Sequence, residues 1–253
     1  MVAERIPALK KTDAEEGTSP RRKGGKLLWI VFVLFAIVMI VLFFRSSLSR
    51  ISSVQVTGTV HLSADEVLKA AGVREGESFF FPSAKELERR IETLKAVQSV
   101  KVDKRFPGKV EIAVKEYAEV AVELDASGKT RIVLSNGLSV PASGALPDKP
   151  ILTGWKEGDE RRNALCRALE GLPESLLRDL SQIAPDPSTA YPDRIRIYTR
   201  SRFEVVTTVE RLPEKAALLS EIVENREPGR VVLLEADTYQ PFSAQNAPSS
   251  GDS

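Results

Sequence analysis

The chain has 253 residues, 36 Lys+Arg against 35 Asp+Glu, one histidine and one cysteine. Such a balance supplies no basic face for nucleic acid, and a lone Cys166 cannot close an intramolecular disulfide, so any core must hold by packing alone. A single His61 with no second histidine or cysteine also leaves the chain poor in metal-ligating and acid–base groups.

In chain order, residues 1–26 mix charges with Gly, Thr, Ser and Pro and show no helical or strand period, which reads as a flexible tail. Residues 27–44, LLWIVFVLFAIVMIVLFF, follow as eighteen consecutive apolar residues without charge, proline or glycine. At about 1.5 Å per residue a helix of that length reaches about 27 Å, enough to cross a bilayer once. The run is longer than a secretory apolar region, and Phe43-Phe44-Arg45 replaces a small-x-small cleavage pattern, so a retained anchor is expected. Seven Lys and Arg precede it, four of them in RRKGGK (Arg21, Arg22, Lys23, Lys26), whereas only Arg45 and Arg50 occur in the next twenty residues. That asymmetry predicts a cytoplasmic N-terminus and places the bulk of the chain outside the cytoplasmic membrane. From Arg45 onward 29 Lys+Arg stand against 31 Asp+Glu, with both signs interspersed.

After the anchor, Ile51, Val54, Val56 and Val60 alternate with polar residues as in a strand. Ser63 and Glu66 have the spacing of a capping box, which opens a helix expected to stop at Gly72. A second such pair, Ser83 and Glu86, follows Pro82 and opens a helix with Leu87, Ile91 and Leu94 on one face, expected to end near Ala96. Strands are predicted over 97–106 and 109–117, joined by Pro107-Gly108. The order β-α-α-β-β makes a compact α+β module: two helices with one apolar face each cover one sheet face and leave the other polar.

The next stretch reads as β-rich, with a hairpin at Asn136-Gly137, where both residues tolerate positive φ. Residues 160–183 carry one or two helices broken at Gly171-Leu172-Pro173, RIRIYTR and FEVVTTVE pair about Arg200-Ser201-Arg202, and residues 213–225 form a further helix. GRVVLLEA is expected to be the final strand of a mixed sheet, with a free edge able to accept another chain. On that reading the candidate contact runs along the last strand and its exit: Val231, Val232, Leu233, Leu234, Glu235, Tyr239 and Phe242. Part of that set, Val231, Leu233 and Leu234 among it, also reads as core. Trp155, after Gly154 in a loop, fits either a core or a contact role. Cys166, in NALCRALEGL, reads as a small buried hydrophobe, and His61 as a solvated turn residue. No serine lies in a G-x-S-x-G or S-x-x-K setting, so no catalytic, metal or cofactor site is expected.

Several stretches together resemble the FtsQ/DivIB family of bacterial division proteins. Val54-x-Val56-x-Gly58 with Ser63 to Glu66, Gly72-Val73-x-x-Gly76, Val100-x-Val102, and Arg105-Phe106-Pro107-x-x-Val110-x-Ile112-x-Val114-x-Glu116 are similar to its POTRA domain. Pro150-Ile151-Leu152-Thr153-Gly154, Pro213-x-Lys215-x-x-x-Leu219 and Gly229-x-Val231-Val232-Leu233-Leu234 resemble later segments, so the likeness covers nearly the whole chain. The chain departs from the pattern at Ala118-Glu119, where the family often has a proline. The resemblance implies a tail over 1–26, an anchor over 27–44, a POTRA domain over 51–118, a β domain over 119–240 and a disordered tail over 241–253. It further implies a non-enzymatic divisome scaffold at the septum, without cofactor, whose partners are FtsL-like and FtsB/DivIC-like bitopic proteins and, through them, the septal peptidoglycan synthase. The alternative is a membrane-anchored sensor or anti-sigma-type regulator. Its tail would have to fold on a cytoplasmic partner, and 26 polar residues without apolar period argue against that.

Overall fold

The computed structural model describes residues 24–142 and 144–245. The chain divides into two units, residues 1–49 and residues 50–253. In the first, α1 (Gly24–Arg45) contains the apolar run, and its Lys26–Arg45 stretch is long and apolar enough to cross a membrane. A 3-10 turn, Ser47–Ser49, follows, and the Ser49 hydroxyl donates to the carbonyls of Phe44 (2.7 Å) and Ser46 (2.9 Å), satisfying acceptors that a helix end leaves open. Of the tail expected over 1–26, residues 1–23 lie outside the described residues.

The second unit opens with β1 (Ser53–Thr57), α2 (Ala64–Ala71), α3 (Ala84–Ile91), β2 (Val97–Arg105) and β3 (Lys109–Glu116). Ser63 caps α2 in a full capping box; the bonds from its backbone N–H and then its hydroxyl hold the Glu66 carboxyl below the usual carboxylate range. Ser83 caps α3 in the same way on one side, accepting the Glu86 N–H. The sheet order is β1-β3-β2, with β1 parallel and β2 antiparallel to β3. Val67, Ala71, Leu87 and Ile91 from the helices bury against Val102, Val110, Ile112 and Val114 from the sheet, while Lys101, Asp103 and Glu111 carry the polar alternation outward. At the outer rim of this sheet, Glu88 Oε1 accepts the Val102 N–H (2.9 Å) and Lys104 Nζ donates to the Pro82 carbonyl (2.7 Å). α3 ends at Ile91, not near Ala96 as expected, because the chain turns there to bring Ala96 into a separate small core with Ile132 and Leu134.

From there the chain builds one sheet of nine strands. These are β4 (Glu119–Leu124), β5 (Thr130–Leu134), β6 (Ser139–Pro141), β7 (Ile151–Leu152), β8 (Leu180–Pro185), β9 (Arg194–Thr199), β10 (Glu204–Thr208), β11 (Gly229–Leu233) and β12 (Asp237–Pro241). Their order is β12-β11-β10-β9-β8-β7-β4-β5-β6. Helices α4 (Glu160–Glu170), α5 (Glu174–Asp179) and α6 (Leu212–Asn225) share a core with it, through Leu165, Cys166 and Leu169, Leu176 and Leu177, and Leu212 and Leu219. Cys166 is fully buried, and burial pushes its thiol up to about 11. Trp155 is half-buried against this core and its Nε1 donates to the Ile183 carbonyl (3.2 Å).

The two sheets meet where β3 runs into β4. The Glu116 carboxylate accepts the N–H groups of Val60 (3.0 Å), His61 (2.9 Å) and Leu62 (3.0 Å), fixing the turn that leads into α2. His61 differs from its reading as solvated: its side chain is 9% exposed, with Nε2 3.0 Å from Glu119 Oε1. Across the junction Asn136 Nδ2 donates to the Lys95 carbonyl (2.8 Å). Gly137 beside it has φ +84°, which favours glycine, and an added Cβ would lie 2.0 Å from Asn163 Oδ1, so a side chain there would displace Asn163 of α4.

Among the described residues, Arg162 of α4 is the largest fully buried side chain. Its guanidinium donates to the Gly137 carbonyl (2.8 Å), Ser139 Oγ (2.7 Å) and Glu123 Oε2 (2.8 Å), binding β4, β6 and the hairpin to one helix. Truncating one partner of a buried pair strands the other. Arg162→Ala is therefore expected to lower unfolding free energy by about 3–5 kcal/mol, measured by urea denaturation, while the double change Arg162→Met with Glu123→Met recovers much of the loss.

Candidate interaction edge

The strongest departure from the sequence reading lies at the end of the sheet. GRVVLLEA was expected to supply the last strand, but β12 adds one more, antiparallel to β11, with Val231 opposite Tyr239 and Leu233 opposite Asp237. β11 itself lies between β10 and β12 and has no free edge. The sequence DTYQP conceals a strand because Asp and Pro are poor strand formers, and an edge position tolerates both.

The candidate contact residues therefore separate. Val231 and Leu233 are fully buried in the sheet, and Val232 and Leu234 are half-buried. The Leu234 carbonyl accepts Arg211 Nη1 (2.7 Å), and the exposed Glu235 pairs with Arg211 Nη2 (3.0 Å). Tyr239 is half-buried against the core, and its hydroxyl donates to the Glu227 carbonyl (2.7 Å). Phe242 opens a short helix, α7 (Phe242–Gln245), and its N–H donates to the Pro228 carbonyl (3.1 Å). The tail expected from residue 241 thus begins with Pro241 in a strand and a helical turn, and its residues 246–253 lie outside the described residues.

That Phe242 bond fixes the parity of the ladder. Hydrogen-bonded pairs alternate in an antiparallel ribbon, so Gln240 and Thr238 face β11 with their N–H groups, and Asp237 and Tyr239 direct theirs to the open side. Pro241 has no N–H to offer. Beside the strand runs a groove of about 340 Å³, walled by Leu218, Ile222 and Asn225 of α6, by Arg226 at its end, and by Thr238 and Tyr239 of β12. Sequence reasoning missed the α6 wall, although its signal was present: Leu218, Leu219, Ile222 and Val223 form a stripe broader than one buried line, and only Leu219 among them is fully buried.

The family described as "POTRA domain, FtsQ-type" matches residues 49–117. Cell division protein DivIB of Paenibacillus polymyxa (strain E681) is 41% identical over 239 residues, covering 94% of this chain and 92% of that protein. The chain belongs to the FtsQ/DivIB family of cell division proteins. DivIB of Bacillus anthracis is 30% identical over 237 residues, covering 92% of this chain and 87% of its own length. A solved structure of the major extracytoplasmic domain of DivIB (trans isomer) from Geobacillus stearothermophilus is 25% identical, covers 45% of this chain and 99% of that chain, and has a TM-score of 0.38. The β-α-α-β-β module of this DivIB-family chain, which lies within the matched residues 49–117, is its POTRA domain.

Attachment of β12 depends on Gly229, where an added Cβ would lie 2.4 Å from the Gln240 carbonyl oxygen and 2.8 Å from Pro241 Cα. Gly229→Ala is expected to loosen the edge strand selectively. Amide exchange at Thr238 and Gln240, whose N–H groups face β11, should rise by about tenfold or more, with POTRA amides unchanged.

Proposed function

We propose that this DivIB-family chain is a non-enzymatic scaffold of the division septum, anchored by α1 with its N-terminus in the cytoplasm and its bulk outside. On this reading it is organised as a cytoplasmic tail, one membrane span, a POTRA domain, a β domain and a short C-terminal tail. It binds FtsL-like and FtsB/DivIC-like bitopic proteins and links them to septal peptidoglycan synthesis.

The observation that carries the partner reading is the open edge of β12. A strand laid there gains main-chain bonds from Asp237 and Tyr239, and the α6 groove beside it receives the apolar side chains of an adjoining segment. Anchoring confines the chain and its partners to one surface, so modest contacts add through effective concentration. The scaffold reading also accounts for the reactive side chains: the sole histidine is packed at the junction of the sheets, and the sole cysteine is buried with a raised thiol. Of the sequence candidates, the contact passes to Tyr239 and Phe242 and their neighbours in β12, with Val231 and Leu233 supporting them from the core.

Asp237→Pro tests the edge because a proline at the first position of an edge strand removes one outward N–H and leaves the ladder to β11 intact. Co-purification of FtsL-like and FtsB/DivIC-like proteins with the full chain from membranes should fall by about tenfold with little change in thermal midpoint. Undiminished co-purification would move the contact off β12.

A further inference from the structure

The POTRA domain carries an aromatic tip built on the core residue Phe79, and its outer rings serve neither the core cluster nor the β12 edge. Three segments converge on the tip. Ile51 exchanges backbone bonds with Gly76 and Glu77 (both 2.8 Å), Arg50 bridges Ser78, and the Ser52 N–H donates to the Gly108 carbonyl (2.8 Å). At their centre Phe79 is buried, edge-on to Phe80 (5.4 Å between centroids) and to Phe106 (6.2 Å), with Lys104 Nζ 5.2 Å from its ring centre. Around this one anchored ring Phe81 is 71% exposed and Phe106 57%. Single exposed apolar residues are ordinary, but several large aromatics gathered on one tip mark a contact surface.

Charges of both signs lie beside the rings, and two of the cations are left unpaired. Arg50 and Lys109 are exposed and, among the described residues, enter no ion pair. Arg105 is held by Asp103 and Glu111 (both 3.1 Å), and of the nearby acids Glu77 already accepts the Arg74 N–H (3.2 Å) while Glu75 is exposed. Chain length selects the occupant. Only Ser46–Ser49 separate Arg45, at the end of the apolar helix, from Arg50 at the tip. Fully extended, that link reaches about 18 Å, so a bilayer crossed by α1 lies within reach of the rings.

We propose that this tip is a lipid contact: Phe81 and Phe106 enter the headgroup region of the bilayer, and Arg50 and Lys109 meet the phosphates of anionic phospholipids. Aromatic rings with adjacent cations are the composition that binds such an interface. The inference rests on the membrane-spanning reading of α1 and is independent of partner binding at β12. Its effect is to hold the POTRA domain by a second point against the surface it is tethered to.

The test uses the full chain reconstituted in vesicles of phosphatidylglycerol and phosphatidylcholine, with an environment-sensitive fluorophore on S78C or, separately, on S127C in the exposed β4–β5 turn. Cys166 is buried with its thiol raised to about 11, so it stays unlabelled near neutral pH. A headgroup-level spin-labelled lipid should quench the probe at 78 about threefold more than at 127, and F81S/F106S or R50E/K109E should at least halve that quenching at an unchanged thermal midpoint. Equal quenching at the two positions, or quenching at 78 that survives both double substitutions, overturns the contact. Vesicle flotation reports the anchor separately: a chain that fails to float overturns the spanning reading and the lipid contact together.

Discussion

One buried guanidinium holds the larger part of the molecule in register. Arg162 reaches from α4 to the hairpin carbonyl of Gly137, to Ser139 and to Glu123, and the same hairpin sends Asn136 back to Lys95 of the POTRA domain. A buried cation is tolerated only where acceptors surround it. The arrangement of β4, the hairpin and β6 about α4 is therefore over-determined, and the junction between the sheets inherits its geometry. Glu116 performs a smaller version of the same task by collecting three consecutive backbone N–H groups.

Much of this architecture is legible in the sequence, for reasons that differ by element. The anchor is read from length and apolarity, which need no tertiary information. The POTRA elements are read from paired capping boxes and strict alternation, local signals that the fold does not override. What escapes reading is decided by distant contacts. β8 starts at Leu180, inside a segment that reads as helical, because Leu180 and Ile183 find places between β7 and β9. β12 is hidden by its Asp and Pro, which only an edge position accepts. Arg162 looks like one more cation on an amphipathic helix until Glu123, 39 residues earlier, is folded against it.

The candidate site shifted for the same reason. An apolar stretch near a C-terminus resembles a terminal strand, yet Val231 and Leu233 are too apolar to border solvent and require cover on both sides. The strand that does border solvent is more polar and less regular. On the proposed reading this edge exchanges with other chains and must remain soluble when empty, and a polar strand over a buried neighbour meets both demands.

An outer strand of the smaller sheet has been treated in another way. Along β2 of the POTRA domain, Glu88 occupies the Val102 N–H, so a donor that could pair with a neighbouring copy is already engaged. A second copy laid along β2 therefore meets one fewer free donor, whereas β12 keeps the outward N–H groups of Asp237 and Tyr239.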